Sequence, residues 1–94
     1  HALSALLRRR LAEAGLKVAC EAGPIVPVLT GGAQAALDVA EGLWQRGVFA
    51  PAVRPPTVPQ GASRIRLTVT AAHEEQDIEK AAQALVEAAR ESGL

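Results

Sequence analysis

Apolar side chains recur at steps of three and four residues in three segments of the chain, which is the spacing of one helical face. The segments are residues 1–15, residues 32–47 and a stretch from about Glu74 to Glu91. The predicted apolar face of the second segment consists of Ala36, Leu37, Ala40, Leu43 and Trp44. That of the third consists of Ile78, Ala81, Ala82, Leu85, Ala88 and Ala89. A glycine closes each segment, as is common at helix ends, so the pattern predicts three helices.

A clean alternation of apolar and polar residues marks "RIRLTVT", from Arg64 to Thr70, and predicts a strand. Its apolar face would carry Ile65, Leu67 and Val69, and its polar face Arg64, Arg66, Thr68 and Thr70. Two shorter apolar runs, Ile25–Leu29 and residues 48–53, predict two more strands, each containing a proline. Because Pro27 removes a ladder donor, its strand is expected at a sheet edge, or with Pro27 facing outward at a bulge.

The predicted order is helix, strand, helix, strand, strand, helix, within a single domain of residues 1–94. This order is typical of an α+β two-layer sandwich, a small, mainly antiparallel sheet with helices on one face. The last two strands are joined by the proline-rich loop "RPPTVPQGAS", which favours an antiparallel hairpin. The helices would cover the apolar face of the sheet, so Arg64 and Arg66 would lie on a surface that docks on something.

The composition excludes several classes of function. Ten basic residues balance ten acidic ones, and the only aromatic residues are one Trp and one Phe, which argues against a nucleic-acid-binding protein. No apolar run approaches the roughly 20 residues that span a bilayer, so no membrane partner is expected. Two histidines and one cysteine, Cys20, are too few for a zinc site, and no metal is expected.

The residues from 52 to 85, "AVRPPTVPQGASRIRLTVTAAHEEQDIEKAAQAL", resemble the C-terminal segment of the α-oxoamine synthases. These fold-type I enzymes depend on pyridoxal phosphate (PLP) and condense an amino acid with an acyl-CoA, releasing carbon dioxide and free CoA. "GPIVPVLTGG" is similar to the strand that precedes this segment in the family. The resemblance runs from Ala22 or earlier to about Ala89 and is strongest from Val53 to His73.

The resemblance implies substrate-binding roles for three residues. Arg66 matches the residue that holds the carboxylate of the amino acid, Thr57 a substrate-contacting residue, and Arg54 a residue that helps to recognise the acyl substrate. Physical chemistry agrees for Arg66, since a guanidinium meets a carboxylate with two parallel charge-assisted hydrogen bonds. Ala62 departs from the family, which often has threonine there.

Within the family, "RPPTVP" favours the biotin-pathway member that joins L-alanine to a pimeloyl thioester, either pimeloyl-CoA or a pimeloyl-carrier protein. That member would act as a cytoplasmic homodimer. The alternatives in the family are 5-aminolevulinate synthases and 2-amino-3-ketobutyrate ligases, which use other substrates. Alternatives from other classes are a stand-alone α+β binding module and a pure interaction domain.

The cofactor-binding parts of the family are not matched in these residues. The chain has two lysines, Lys17 and Lys80, and neither context is similar to the family's cofactor-lysine motif. The resemblance therefore implies the small C-terminal domain of a larger enzyme, with PLP bound by a large domain outside these 94 residues. We expect no catalytic or cofactor-binding residue within them, and no turnover from them alone. The first residue is His1 rather than Met, which is expected both of a piece of a larger chain and of a tag remnant.

Four other features have simpler interpretations. Arg64 shares the face of Arg66 and is expected in a structural ion pair. His73 is expected to contact backbone at the start of the last helix. The run Arg8–Arg10 is interpreted as a solvated helix face, and "TGG", residues 30–32, as a strand-to-helix turn rather than a phosphate-binding loop.

Overall fold

The computed structural model describes residues 2–19, 23–70 and 72–94, so His1, Cys20 and Ala22 lie outside the described residues. The elements, in chain order, are α1 (Ala2–Glu13), β1 (Ile25–Gly31), α2 (Ala33–Gln45), β2 (Ala52–Val53), β3 (Ser63–Thr68) and α3 (Glu75–Glu91). The predicted order of helices and strands is confirmed, and each helix boundary falls close to its predicted position.

The three strands form one antiparallel sheet in the order β1-β3-β2. β3 is central, with Val28 of β1 opposite Ile65 on one side and Ala52 of β2 opposite the same residue on the other. The predicted antiparallel hairpin between the last two strands is confirmed. Together with the helices, this is the α+β sandwich that the pattern predicts.

β1 lies at the edge of the sheet, as expected for a strand that contains Pro27. The carbonyl of Pro27 accepts the N–H of Ala19 at 3.0 Å, and the N–H of Leu29 donates to the carbonyl of Lys17 at 2.8 Å. The backbone groups of residues 27 and 29 therefore point away from β3. The N–H that proline lacks would have pointed to this outer edge, so the ladder with β3 loses nothing.

β2 is shorter than predicted, because the ladder stops at Pro51. The N–H of Arg66 donates to the carbonyl of Pro51 at 3.1 Å. The reciprocal bond, from residue 51 to the carbonyl of Arg66, cannot form since proline has no N–H. Only Ala52–Val53 remain as regular strand, and residues 48–51 lead into it as irregular chain.

The core lies between the sheet and the three helices. From β3 it receives Ile65 and Leu67, and Val69, the residue after the strand, is buried beside them. This confirms the predicted apolar face. Arg66, Thr68 and Thr70 are exposed on the opposite face. The largest fully buried side chains from the other elements are Leu7, Leu11, Val26, Val28, Val39, Leu43 and Leu85.

The predicted apolar face of α2 is wrong in part. Trp44 is 64% exposed and Leu37 is 39% exposed, while Val39 is fully buried in their place. The reason is the contact with α3, since a Cβ on Gly42 would lie 2.9 Å from the Cβ of Ala88. This contact turns Gly42 towards α3 and therefore turns Trp44, two residues further along the helix, towards solvent.

Candidate functional site

Arg66 lies in the middle of the sheet, on its exposed face. It is opposite Pro27 of β1, and its side chain is exposed. Its neighbours in β3, Ile65 and Leu67, are 0% and 5% exposed and hold this part of the strand in the core. Among the described residues, none accepts a hydrogen bond from the Arg66 guanidinium or forms an ion pair with it. The backbone of Arg66 is thus held in the central strand, while its guanidinium is accessible to a ligand.

Arg54 and Thr57 lie in the loop that follows β2. The N–H of Thr57 donates to the carbonyl of Arg54 at 3.1 Å, which closes a turn over the prolines between them. Both side chains are exposed, and neither forms a hydrogen bond within the described part of the chain. Val53 pairs with Arg64, two residues from Arg66, so the structure brings Arg54, Thr57 and Arg66 onto one hairpin.

Arg64 differs from the prediction. Its side chain is half-buried, and its Nε donates to the carbonyl of Ala62 at 3.1 Å. No carboxylate of the described residues lies within ion-pair distance, so the expected structural ion pair is replaced by a hydrogen bond to backbone. The two terminal nitrogens of Arg64 have no acceptor among the same residues.

The arginine run of α1 is not a uniformly solvated face. Arg8 is half-buried, and its Nη2 donates to the carbonyls of Gly23 at 3.2 Å and Ile25 at 2.7 Å. Arg10 forms ion pairs with Glu79 at 2.8 Å and Glu13 at 3.2 Å, and the hydrogen bond with Glu79 is the main cause of a raised pKa for Arg10. The prediction holds for Arg9, which is exposed.

His73 and the glycine pair behave as expected. The Nδ1 of His73 accepts the backbone N–H of Thr70 at 3.0 Å, directly before α3. Gly31 has a φ of 81°, and Gly32 caps the N-terminus of α2. Residues 30–32 therefore make the predicted strand-to-helix turn.

An exposed aromatic pair lies beside the candidate site and was missed by the sequence pattern. Trp44 and Phe49 meet edge to face, with ring centroids 6.0 Å apart and an angle of 79° between the planes. Phe49 is 77% exposed, and the pair lines a groove of about 310 Å³ that also includes Leu37 and Arg54. The signal that could have revealed the groove is the seven-residue step from Leu37 to Trp44, which places both on one helical face.

Two classes of site are not found in the described residues. No group of three His, Cys, Asp or Glu side chains there could hold a metal ion. None of the helices in residues 2–19, 23–70 and 72–94 is both long and apolar enough to cross a membrane.

Comparisons with known proteins agree on one family. The 8-amino-7-oxononanoate synthase of Aromatoleum aromaticum is 49% identical over 83 residues, which are 88% of this chain and 22% of that protein. The fold is similar to serine palmitoyltransferase from S. paucimobilis in its complex with PLP and myriocin, with a TM-score of 0.89, 23% identity, and coverage of 98% of this chain and 24% of that one. It is also similar to 8-amino-7-oxononanoate synthase from Francisella tularensis, with a TM-score of 0.78, 14% identity, and coverage of 99% and 27%.

These matches confirm the resemblance drawn from "RPPTVP" and "RIRLTVT". The fold is that of the small domain of fold-type I PLP enzymes. The chain spans about a quarter of the length of the proteins it matches. The model of aminotransferase class I and II matches residues 1–85, and the chain belongs to that family.

Proposed function

We propose that this chain is the small C-terminal domain of a PLP-dependent acyltransferase that joins L-alanine to a pimeloyl thioester. The products would be 8-amino-7-oxononanoate, carbon dioxide and the free thiol carrier, a step of biotin biosynthesis. The observation that carries the proposal is the exposed guanidinium of Arg66 on the central strand, which has no partner among residues 2–19, 23–70 and 72–94. The names of the relatives supply the substrate class.

Arg66 would hold the carboxylate of L-alanine. Its planar guanidinium presents five N–H donors and can meet both oxygens of one carboxylate, which fixes the orientation of the amino acid as well as its position. A strand whose neighbouring residues are buried gives that group a stiffer mount than a loop. Orientation of a reacting bond lowers the barrier of the step that follows, so this role contributes to turnover and not only to binding.

Thr57 and Arg54 would contact the substrate from the same hairpin. The Thr57 hydroxyl is an exposed donor and acceptor, and the backbone bond between residues 54 and 57 holds the turn that carries it. Arg54 lines the groove that Trp44 and Phe49 make apolar, which suits an acyl chain that carries charge or polarity at one end. This arrangement supports the assignment of Arg54 to the acyl substrate.

We propose that the PLP site lies outside these 94 residues. Lys17 and Lys80 are both exposed, Lys17 beyond the C-terminal end of α1 and Lys80 on α3. α3, which carries Lys80, packs against α1 and α2. Neither lysine has the sequence context of the family's cofactor lysine. We propose that the cofactor is held by the rest of the complete enzyme, which would be a cytoplasmic homodimer with its active site at the subunit interface.

Substitution of Arg66 in the complete enzyme tests the proposal. We expect Arg66→Ala to lower kcat/KM for L-alanine roughly 10²–10³-fold, because the carboxylate would lose both hydrogen bonds in an enclosed site. This corresponds to a loss of about 3–4 kcal/mol of transition-state stabilisation. Arg66→Lys should recover only part of this loss, since the fork geometry is absent. Arg9→Ala is the matched control, because Arg9 is also exposed but lies on α1.

Steady-state kinetics with L-alanine, glycine and L-serine make the test specific. A preference for L-alanine supports the biotin-pathway reaction, whereas a preference for glycine or serine moves the chain to another member of the family. An Arg66→Ala enzyme with the kcat/KM of the parent would rule out the carboxylate role.

A further inference from the structure

A cavity of about 620 Å³ opens at the end of the sheet where β1 ends and β3 begins. Five parts of the fold line it: residues 14–17 after α1, residues 29–31 of β1, residues 61, 62 and 64 around the start of β3, residues 86, 89 and 90 of α3, and Leu94. Arg54, Thr57 and Arg66 do not line it. A cavity of this size lies within the range of about 300–1,000 Å³ that small-molecule sites occupy.

Three cationic side chains line this cavity: Lys17, Arg64 and Arg90. None of the described residues that line it is Asp or Glu. The ion pairs in the described part of the chain use other arginines, since Arg10 pairs with Glu13 and Glu79, and Arg46 with Glu87 and Glu91. The cavity therefore concentrates three positive charges in a chain whose formal net charge is +0.

Helix ends account for only part of this concentration. Lys17 follows α1 and Arg90 lies in the last turn of α3, where a cation complements the helix dipole. Arg64 is on a strand and has no such role. The Nε of Arg64 donates a hydrogen bond to the carbonyl of Ala62, and this bond orients the guanidinium. The N–H groups of its two terminal nitrogens have no acceptor among the described residues.

The rest of the cavity wall is apolar. Leu16, Leu29, Val86 and Ala89 line it next to the cations. An apolar wall with a few convergent polar groups is the usual composition of a site for a small organic ligand, and it offers little to a fully hydrated inorganic anion. The ligand that fits both parts has an aliphatic body and one anionic end.

We propose that this cavity binds an aliphatic carboxylate of medium chain length. Its carboxylate would lie against Arg64, with Lys17 and Arg90 adding to the positive field, and its chain would contact Leu29 and Val86. This site is separate from the proposed role of Arg66 and does not depend on it.

Titration of the 94-residue chain with octanoate, followed by NMR, tests the proposal. We expect saturable shifts at the methyl groups of Leu29 and Val86 and at the Nε–H of Arg64. Arg64→Gln and Arg90→Gln should each weaken binding at least tenfold, and added salt should weaken it further because the attraction is partly between charges. Arg9→Gln is the matched control and should bind octanoate like the parent.

Two further probes separate the contributions. Octanol has the same chain without the charge, and inorganic phosphate has charge without the chain, so both should bind far more weakly than octanoate. Binding of octanol or phosphate as tight as that of octanoate would overturn the proposal, as would octanoate shifts centred on Trp44 and Phe49.

Circular dichroism checks that each variant is folded. If Arg64→Gln does not fold, the exposed residues still decide, because binding unchanged in both Lys17→Gln and Arg90→Gln overturns the proposal.

Discussion

The guanidinium of Arg8 reaches from α1 to the carbonyls of Gly23 and Ile25, where the chain enters β1. The side chain of Arg9, the next residue, is exposed and forms no hydrogen bond or ion pair within the described residues. One helical step of about 100° separates the two side chains, and it changes a solvated charge into a link between two elements. At the scale of single residues, the direction of a side chain decides its role more than its type.

Substitution of these two arginines should therefore give different results. We expect Arg8→Gln to lower the free energy of unfolding by about 1–2 kcal/mol, because two carbonyl oxygens lose a charged donor. Arg9→Gln should change it by less than about 0.5 kcal/mol, as is usual for exposed surface positions. Urea denaturation of both variants measures the difference, and equal effects would show that the Arg8 bonds contribute nothing net.

At the scale of elements, the packing of α2 on α3 depends on small side chains. Gly42 faces Ala88 so closely that an added Cβ would come within 2.9 Å of the alanine Cβ. Both helices are held in the same region by Arg46, which donates to the carbonyl of Gly42 at 2.9 Å and pairs with Glu87 and Glu91. The close approach lets Leu43 and Leu85 both be fully buried.

Gly42→Ala tests this packing, since two effects of opposite sign compete. Alanine is favoured over glycine in a helix by about 1 kcal/mol, but overpacking a tight contact costs about 1–3 kcal/mol. We expect the clash to win and the free energy of unfolding to fall. The double variant Gly42→Ala/Ala88→Gly returns the room and should recover part of the loss. A Gly42→Ala protein more stable than the parent would contradict the close contact.

At the scale of the whole molecule, the two faces of the sheet have different surroundings. The face that carries Ile65 and Leu67 is covered by helices, since α1 and α2 contact the strands and α3 packs against these two helices. The face that carries Arg66 and Thr68 is exposed. The proposed substrate contacts therefore point out of this domain. Chemistry at Arg66 would need a second surface opposite the sheet, which the proposed large domain would supply.

The 94-residue chain alone should therefore be able to contact L-alanine through Arg66 but should not catalyse its reaction. We expect no release of CoA above background from the purified chain with PLP, L-alanine and pimeloyl-CoA, because neither of its lysines has the sequence context of the family's cofactor lysine. A thiol-detecting assay measures the release, with the complete enzyme as positive control and circular dichroism as a check that the chain is folded. Turnover by the chain alone would overturn the division of roles between the two domains.

The sequence by itself determined the order of the elements and the two faces of β3. Both follow from local periodicity, because the step of two along a strand and the step of three to four along a helix depend only on neighbouring residues. The exposure of Arg66 was predictable for the same reason. The resemblance added its proposed role, which is supported by an exposed guanidinium that no other described residue engages.

The tertiary structure alone decided how the elements face one another. The contact of Gly42 with Ala88 turned Leu37 and Trp44 outward, although their spacing fits a buried face. It also brought Lys17, Arg64 and Arg90 to one cavity. Residues so far apart in the chain meet only through packing, and packing depends on the shapes of all the elements at once, so no local pattern contains it.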